Sequence, residues 1–162
     1  MYEKEVKEKT SQILPKVVGW RRHFHEYPEV SGEEKETSLY IQQVLTELGI
    51  PFETGFFGTA VLGTIKGDLP GKTVALRADM DALPVTELTG LPFASKNKGV
   101  MHACGHDGHM AMMLSLAEWT AEHVKELPRN VLFLFQPAEE TTGGARKLCE
   151  SGVLAVSYTH LR

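Results

Sequence analysis

The sequence predicts a layered α/β fold, and three observations predict it. Apolar residues at helical spacing alternate along the chain with short apolar runs, and glycine or proline separates these segments. The run at residues 131–135 is apolar throughout, as in a buried strand. The length of 162 residues, with 42% hydrophobic and 23% charged residues, is typical of one ordinary soluble domain with a core of its own.

Two helices are predicted before the first strand. In residues 6–24 apolar side chains recur at helical spacing, and Pro15 indicates either a kink or a boundary between two helices. The next helix follows Ser31, which has the spacing of a capping box with Glu34, and it ends at Gly49. The residues predicted to form its apolar face are Leu39, Tyr40, Val44, Leu45 and Leu48.

Three short strands are predicted next, at residues 52–57, 60–65 and 73–78. Gly58 separates the first two strands, and a turn at residues 66–71, which contains two glycines and a proline, separates the second from the third. These breaks keep each strand short.

The second half of the chain continues the alternation. A third helix is predicted over residues 113–124, and Pro128 closes it before the strand at residues 131–135, which we expect to be central and buried. A short segment then runs over residues 143–148 and stops at Gly152.

Charge and composition exclude several classes of partner. The formal net charge of -4, without a run of five like charges, gives no surface for nucleic acid. No apolar run reaches the roughly 18 residues of a membrane span, and the first residues lack the apolar centre of a signal peptide. We therefore expect a cytoplasmic protein with no membrane partner, whose two cysteines, Cys104 and Cys149, are thiols.

Carboxylates follow two of the predicted strands. Asp79 and Asp81 follow the third strand and share one face if the strand continues, although a polar turn explains them equally well. Glu139 and Glu140 follow the buried strand, at the kind of strand end where α/β proteins place active sites. Neighbouring carboxylates in extended backbone point in different directions, so one can bind a metal while the other reaches a water. A solvated acidic loop is the alternative.

Residues 101–109 concentrate ligand groups for transition metals. This segment holds a thiol, Cys104, and three imidazoles, of which His106 follows Cys104 after a single glycine. Thiolate and imidazole suit zinc and its neighbours, and Gly105 permits the bend that aims both groups at one centre. His102 and His109 are expected to be structural or to lie behind the ligands. A loop with a structural cysteine and solvated histidines is the alternative.

Four motifs, taken together and in this order, resemble one family of metallopeptidases. It is the amidohydrolase branch of the aminoacylase and carboxypeptidase-G-like family, which includes hippurate hydrolases, N-acyl amino acid deacylases and plant hydrolases of indoleacetyl amino acids. The resemblance covers residues 10–155. The motifs are His25-Glu26-Tyr27-Pro28-Glu29, Arg77-Ala78-Asp79-Met80-Asp81, Met101-His102-Ala103-Cys104-Gly105-His106-Asp107 and Gln136-Pro137-Ala138-Glu139-Glu140.

The resemblance implies a role for each candidate residue. Cys104, His106 and Glu140 would be ligands of a centre of two divalent metal ions. Zinc or manganese is expected there, and cobalt or nickel is chemically admissible. Glu139 would be the general base, and Asp81 would act from behind the ligands. The wider family has a ligand histidine at the position of Asp79, so a ligand role is not expected for this aspartate.

The resemblance also implies a reaction. Water activated by two metal ions would attack the amide of a small-molecule N-acyl amino acid, while Glu139 takes the proton of the water and passes it to the leaving amine. Two alternatives are a metallo-exopeptidase, either a dipeptidase or a carboxypeptidase, and a non-catalytic metal-binding module. A third makes Cys104 a nucleophile served by His106, but two residues of separation is poor geometry for that pair.

Members of the resembling family are longer, so the resemblance implies an incomplete α/β/α metallopeptidase-like catalytic domain. Residues 1–155 would be its N-terminal part, and the lid and dimerisation domain and further ligand histidines would be absent. Residues 156–162 do not match the family and are interpreted as an atypical tail from assembly or cloning, with His160 not expected to be a ligand. We expect the full-length protein to be a homodimer and the 162-residue chain to be inactive.

Overall fold

The computed structural model describes residues 2–68, 73–141 and 143–153 of the chain. Helices and strands alternate along these residues. In chain order they are α1 (Tyr2–Glu26), α2 (Lys35–Glu47), β1 (Phe52–Thr54), β2 (Val61–Ile65), β3 (Val74–Asp79), α3 (His106–Glu122), β4 (Val131–Gln136) and α4 (Gly144–Glu150), with a 3-10 turn, Val124–Glu126, after α3. No helix in the described part of the chain is both long and apolar enough to cross a membrane.

The four strands form one sheet in the order β1-β2-β4-β3. β4 pairs antiparallel with β2 and parallel with β3, so it is an interior strand, and its residues after Val131 are buried. The prediction of a central buried strand is thus confirmed. Because β3 and β4 are parallel, with Asp79 opposite Gln136, the segments that follow them leave the sheet side by side at one edge.

Side chains alternate between the two faces of β4, and each face is covered by helix. Phe133 and Phe135 pack in the larger core, which also holds buried residues of α1, α2 and α3. Leu132 and Leu134 pack on the opposite face against Leu148 of α4. The predicted layered α/β/α arrangement is confirmed: three helices cover one face of the sheet and a short helix lies on the other.

Two predictions for α1 and α3 need correction. α1 is one helix that continues through Pro15, whose ring lies on the exposed side while Trp20 and Phe24 are buried on the core side. That packing offsets the backbone hydrogen bond that proline removes. α3 begins at His106, seven residues before the predicted start at Met113. The polar residues of the intervening turns hid the helical pattern.

The predicted capping box of α2 is wrong. Ser31 donates its hydroxyl hydrogen bond to the Asp81 carboxylate, and Glu34 is fully buried with partners outside the helix. The start of α2 is instead capped from a distance by Glu29, whose carboxylate accepts the backbone N–H groups of residues 36 and 37. The predicted apolar face is also partly wrong, since Leu39 is exposed.

The first strand is shorter than predicted. β1 ends at Thr54 and pairs only with β2, because Gly55 has a positive φ of 88° that turns the chain out of the ladder. β2 and β3 lie within one residue of their predicted bounds.

Candidate metal centre

Three segments meet at the end of the sheet where β3 and β4 finish. They are the loop that contains Asp81, the start of α3 and the turn after β4. Ligand atoms of His106, Glu139 and Glu140 all lie within 4.8 Å of one another. The distance between His106 Nε2 and Glu140 Oε1 is 3.9 Å. The parallel pairing of β3 and β4 thus helps to bring His106 close to Glu139 and Glu140, which lie 33 and 34 positions later in the sequence.

The backbone around His106 decides which ring nitrogen faces this cluster. Gly105 has a positive φ of 85° and precedes the first residue of α3, so the chain turns sharply there. Nδ1 of His106 lies 2.8 Å from the backbone carbonyl oxygen of Asp81. A carbonyl only accepts, so Nδ1 is assigned a proton, and Nε2 is the ring nitrogen that would bind an ion once it loses its own proton.

Asp81 lies behind the cluster and is almost completely buried. Its Oδ2 atom accepts the Ser31 hydroxyl at 2.5 Å and the backbone N–H of Glu140 at 2.9 Å. Burial opposes ionisation of this carboxyl, but the neighbouring His106 ring and the hydrogen bonds from Ser31 and the backbone of residues 139 and 140 outweigh it and hold the pKa of Asp81 well below its usual range. Asp81 therefore keeps its charge beside the imidazole.

The field of Asp81 acts on His106 in turn. The nearby Asp81 carboxylate, whose Oδ1 lies 3.6 Å from Nδ1, raises the pKa of His106 to about 9; burial opposes this shift and the hydrogen bond to the Asp81 carbonyl supports it. The negative charge that favours a proton on this imidazole also favours a divalent cation, and binding of such an ion to Nε2 would release the proton.

Cys104 lies beside the cluster with its side chain exposed. The neighbouring Glu140 carboxylate, together with the charges of Glu139 and Asp81, raises the pKa of the Cys104 thiol. Carboxylates around a thiol disfavour the thiolate, whereas a divalent ion at the same place would reverse that preference. The structure thus brings Cys104 next to Glu140, although its sulfur is outside the tightest group of ligand atoms.

These residues fit a divalent metal ion. Oε1 of Glu140 and Oδ1 of Asp81 are buried and have no hydrogen-bond partner among the described residues. Buried carboxylate oxygens without a partner are costly unless a cation lies beside them. Imidazole nitrogen, thiolate sulfur and carboxylate oxygen are a donor set that suits zinc and other transition metals.

Asp79, which was not expected to be a ligand, is engaged elsewhere. Its two carboxylate oxygens accept hydrogen bonds from the Arg77 guanidinium at 2.8 and 2.9 Å. The strand ends at Asp79, so the condition under which it would share a face with Asp81 is not met, and Asp81 turns into the interior.

A second polar cluster supports the start of α3, and the sequence patterns did not reveal it. The buried His25 lies between two carboxylates, with Nδ1 2.7 Å from Asp107 and Nε2 3.1 Å from Glu87. Asp107 also accepts a hydrogen bond from Arg21. The cluster ties the end of α1 to the residue after His106. His25 belongs to one of the quoted motifs, but its spacing to Asp107 carries no local signal.

His102 is also buried, and His109 lies in α3 with its ring 6.0 Å from that of His106. The expectation that both are structural or lie behind the ligands stays a prediction. Both ring nitrogens of His102 lack a partner among the described residues. Burial lowers the pKa of His102 to about 4. Residues 156–162, including His160, lie outside the described residues, so their interpretation as an atypical tail stays a prediction.

Comparisons with known proteins agree with the resemblance. The model of Peptidase family M20/M25/M40 matches residues 75–161. The chain is 48% identical over 144 residues to N-acetyl-L-cysteine deacetylase of Bacillus subtilis (strain 168), covering 89% of this chain and 35% of that protein. It is 48% identical over 153 residues to thermostable carboxypeptidase 1 of Saccharolobus solfataricus, covering 93% and 39%.

Among solved structures, the fold is similar to that of the YXEP protein of Bacillus subtilis, described as a dinuclear metal binding peptidase from the M20 family. The TM-score is 0.86 at 45% sequence identity, over 89% of this chain and 40% of that one. The chain therefore spans between a third and two fifths of the length of the relatives it matches.

Proposed function

The chain belongs to Peptidase family M20/M25/M40, and from that premise we propose that residues 1–155 supply the N-terminal part of the catalytic domain of a metal-dependent amidohydrolase acting on N-acyl amino acids. One observation carries the proposal: His106, Glu139 and Glu140 converge within 4.8 Å beside the Cys104 thiol. The deacetylase relative supports the substrate class, since its name describes removal of an acyl group from an amino acid.

Cys104, His106 and Glu140 would hold the metal in this proposal. Two divalent ions, zinc or manganese, would supply Lewis acidity that polarises the amide carbonyl and lowers the pKa of a water molecule. Asp81 orients the ligands, because it holds Nδ1 of His106 through its carbonyl oxygen and the backbone of Glu140 through its carboxylate.

Glu139 is proposed as the general base. The side chain of Glu140 is half-buried beside His106, whereas Glu139 is exposed at the same edge, where an incoming substrate would meet it. Glu139 would accept a proton from the water and donate it to the departing amine, so that the acyl group leaves as a carboxylic acid and the amino acid is released.

The wider assembly is also part of the proposal. We propose a longer, cytoplasmic, homodimeric protein whose remaining residues complete the ligand set and the substrate pocket. The 162-residue chain alone should then be inactive, because an incomplete ligand shell leaves the geometry of the centre loose.

The test uses a full-length protein that carries this chain, reconstituted with zinc or manganese. We expect two metal ions per chain and release of free amino acid from N-acyl amino acids, with Glu139→Ala retaining the metal and losing the activity. Glu150→Ala is a matched control, since Glu150 is an exposed glutamate paired with Arg146. Bound metal without hydrolysis of any acyl amino acid or peptide would favour a metal-binding module instead.

A metallo-exopeptidase is the second candidate, and the 48% identity to a thermostable carboxypeptidase favours it. The proposed centre serves either reaction, because both break an amide bond beside an amino acid. Relative kcat/KM for N-acetyl amino acids and for dipeptides with the same C-terminal residue separates them. Higher kcat/KM for the dipeptides would replace the first proposal by the second.

A further inference from the structure

We propose that Glu34 is a positioning residue whose buried carboxylate holds the turn at residues 137–140 in the conformation that places Glu139 and Glu140 at the centre. The proposal rests on the proposed function only for the roles given to those two glutamates. It concerns a residue whose sequence pattern predicted nothing more than a helix cap.

Glu34 is fully buried, and both of its carboxylate oxygens have protein partners. Oε1 accepts the backbone N–H of Ala138 at 2.8 Å and that of Gly32 at 2.9 Å. Oε2 accepts the hydroxyl of Thr59 at 2.9 Å. A buried carboxylate is tolerated when donors satisfy it, and here three donors do so. Both oxygens of Glu34 are thus engaged by the protein, and neither belongs to the group of ligand atoms around His106.

The backbone that Glu34 holds is in an unfavourable conformation. Ala138 has a φ of +57°. Among residues 2–68, 73–141 and 143–153, no other residue except glycine has a positive φ. The left-handed region brings Cβ close to the following carbonyl oxygen, so a residue other than glycine stays there only when its surroundings hold it. The hydrogen bond from Ala138 to the Glu34 carboxylate is one such constraint.

α4 supplies the constraint on the other side of the same residue. The carbonyl oxygen of Ala138 accepts the backbone N–H of Gly144 at 2.9 Å. Both peptide groups of Ala138 are therefore fixed, one by a residue that precedes α2 and the other by the first residue of α4. Glu140 is fixed in turn by its N–H bond to Asp81.

The consequence concerns the direction of the two glutamates. If Ala138 relaxed to a negative φ, the peptide plane that leads into Glu139 would rotate, and the side chains of Glu139 and Glu140 would move away from His106. Groups that fix ligands from behind commonly change metal affinity or activity by about 10- to 100-fold when they are removed. We expect an effect of that size from Glu34.

The test compares Glu34→Leu and Glu34→Gln in a full-length protein that carries this chain. Glu34→Leu removes all three bonds, so the amide hydrogens of residues 138 and 139 should exchange faster in the metal-free protein and zinc affinity should fall about 10- to 100-fold. Glu34→Gln can accept both N–H groups with its carbonyl oxygen and donate to Thr59 with its amide. It should therefore stay within a few-fold of wild type.

Glu29→Ala is the matched control. Glu29 also accepts two backbone N–H groups near the start of α2, whereas the N–H of Ala138 binds Glu34. It should lower stability without changing exchange at residue 138 or zinc affinity. Adding Ala138→Gly to Glu34→Leu should restore most of the zinc affinity, because glycine adopts positive φ without the steric penalty.

Three outcomes would overturn the proposal. The first is unchanged exchange and zinc affinity in Glu34→Leu, and the second is a loss of affinity that Ala138→Gly does not reduce. If Glu34→Leu does not fold, Glu34→Gln decides: a loss of zinc affinity above tenfold with unchanged exchange at residue 138 would show that the charge matters and the turn does not. If exchange and zinc affinity respond as expected but no variant hydrolyses an amide, the proposed function fails and the positioning role stands.

Discussion

Single residues control how closely the segments of the centre approach one another. The backbone of Gly144 approaches the turn after β4 very closely, since a Cβ atom built on Gly144 would lie 1.9 Å from the backbone carbonyl oxygen of Pro137. Backbone cannot yield as a flexible side chain does, so any larger residue must displace the turn that carries the two glutamates. Gly19, in contrast, lies in α1 with no atom within 4 Å of its virtual Cβ.

We predict opposite effects of alanine at these two glycines. Gly144→Ala should lower the free energy of unfolding by about 1–3 kcal/mol through overpacking and weaken zinc binding. Gly19→Ala should raise it by about 0.5–1 kcal/mol, because alanine has the higher helix propensity. Urea unfolding and zinc titration measure both effects. Equal stability of the two variants would contradict the close approach.

The pH dependence of stability is a second property set by one side chain. Burial lowers the pKa of His102 to about 4, with His106 and His25 acting in the same direction and Asp107 and Asp81 against it. As the pH falls, the unfolded chain takes up this proton near 6.5 and the folded protein only near 4. The stability contribution of neutral His102 is therefore complete above pH 6.5 and lost as the pH falls toward 4.

We predict that the metal-free protein loses up to about 3 kcal/mol of stability from this group between pH 6.5 and 4, since each pKa unit corresponds to about 1.4 kcal/mol. His102→Leu should flatten the dependence, whereas the control His123→Leu, at the end of α3, should leave the slope intact. Denaturant unfolding at several pH values gives the slopes. A slope unchanged in His102→Leu would refute this assignment.

At the scale of elements, the contact of α1 with α3 combines a buried apolar seam and exposed ion pairs. Trp20 and Phe24 of α1 belong to the same buried core as Met110 and Leu114 of α3. The pair Lys9–Glu122 closes the outer side of the contact at 2.5 Å, with both side chains partly exposed. Burial of apolar surface contributes more than a screened surface pair, so the seam should dominate the stability of this contact.

We predict that Leu114→Ala lowers the free energy of unfolding by about 2–5 kcal/mol, because it leaves a cavity in a fully buried position. Lys9→Gln should change it by less than about 1 kcal/mol. Thermal or urea unfolding of the two variants in parallel decides. A larger loss for Lys9→Gln than for Leu114→Ala would show that the ion pair dominates.

For the molecule as a whole, metal binding should be linked to folding. The proposed ligands come from the loop before α3, the first residue of α3 and the turn after β4, so an ion can bridge them only in the folded chain. Any ligand that binds the folded state alone raises its stability by mass action. Metal should therefore stabilise the arrangement of β3, α3 and β4 together.

We predict that zinc at about 100 times its dissociation constant raises the free energy of unfolding by about 2.7 kcal/mol. Glu140→Ala should abolish most of that gain, and a chelator should reverse it. Glu150→Ala, the exposed control in α4, should keep the gain. Thermal unfolding with and without zinc provides the measurement, and an equal gain in Glu140→Ala would remove Glu140 from the proposed ligands.

The sequence by itself determined the alternation of helices and strands and the burial of β4. It also showed three clusters of polar residues, which lie after β3, at the start of α3 and after β4. These features follow from local spacing, because a side chain's face in a helix or strand depends on its position in the repeat. The clusters were also visible because Cys104 and His106, like Glu139 and Glu140, lie close together in the chain.

Only the tertiary structure decided which polar groups meet. Ser31 binds Asp81 across 50 positions, His25 binds Asp107 across 82, and Glu34 binds Ala138 across 104. The same Ser31 and Glu34 have the spacing of a helix cap, so local pattern alone assigned them the wrong partners. The physical reason is that a buried polar group must find a donor or acceptor wherever the packed core brings one, and sequence distance does not enter that requirement.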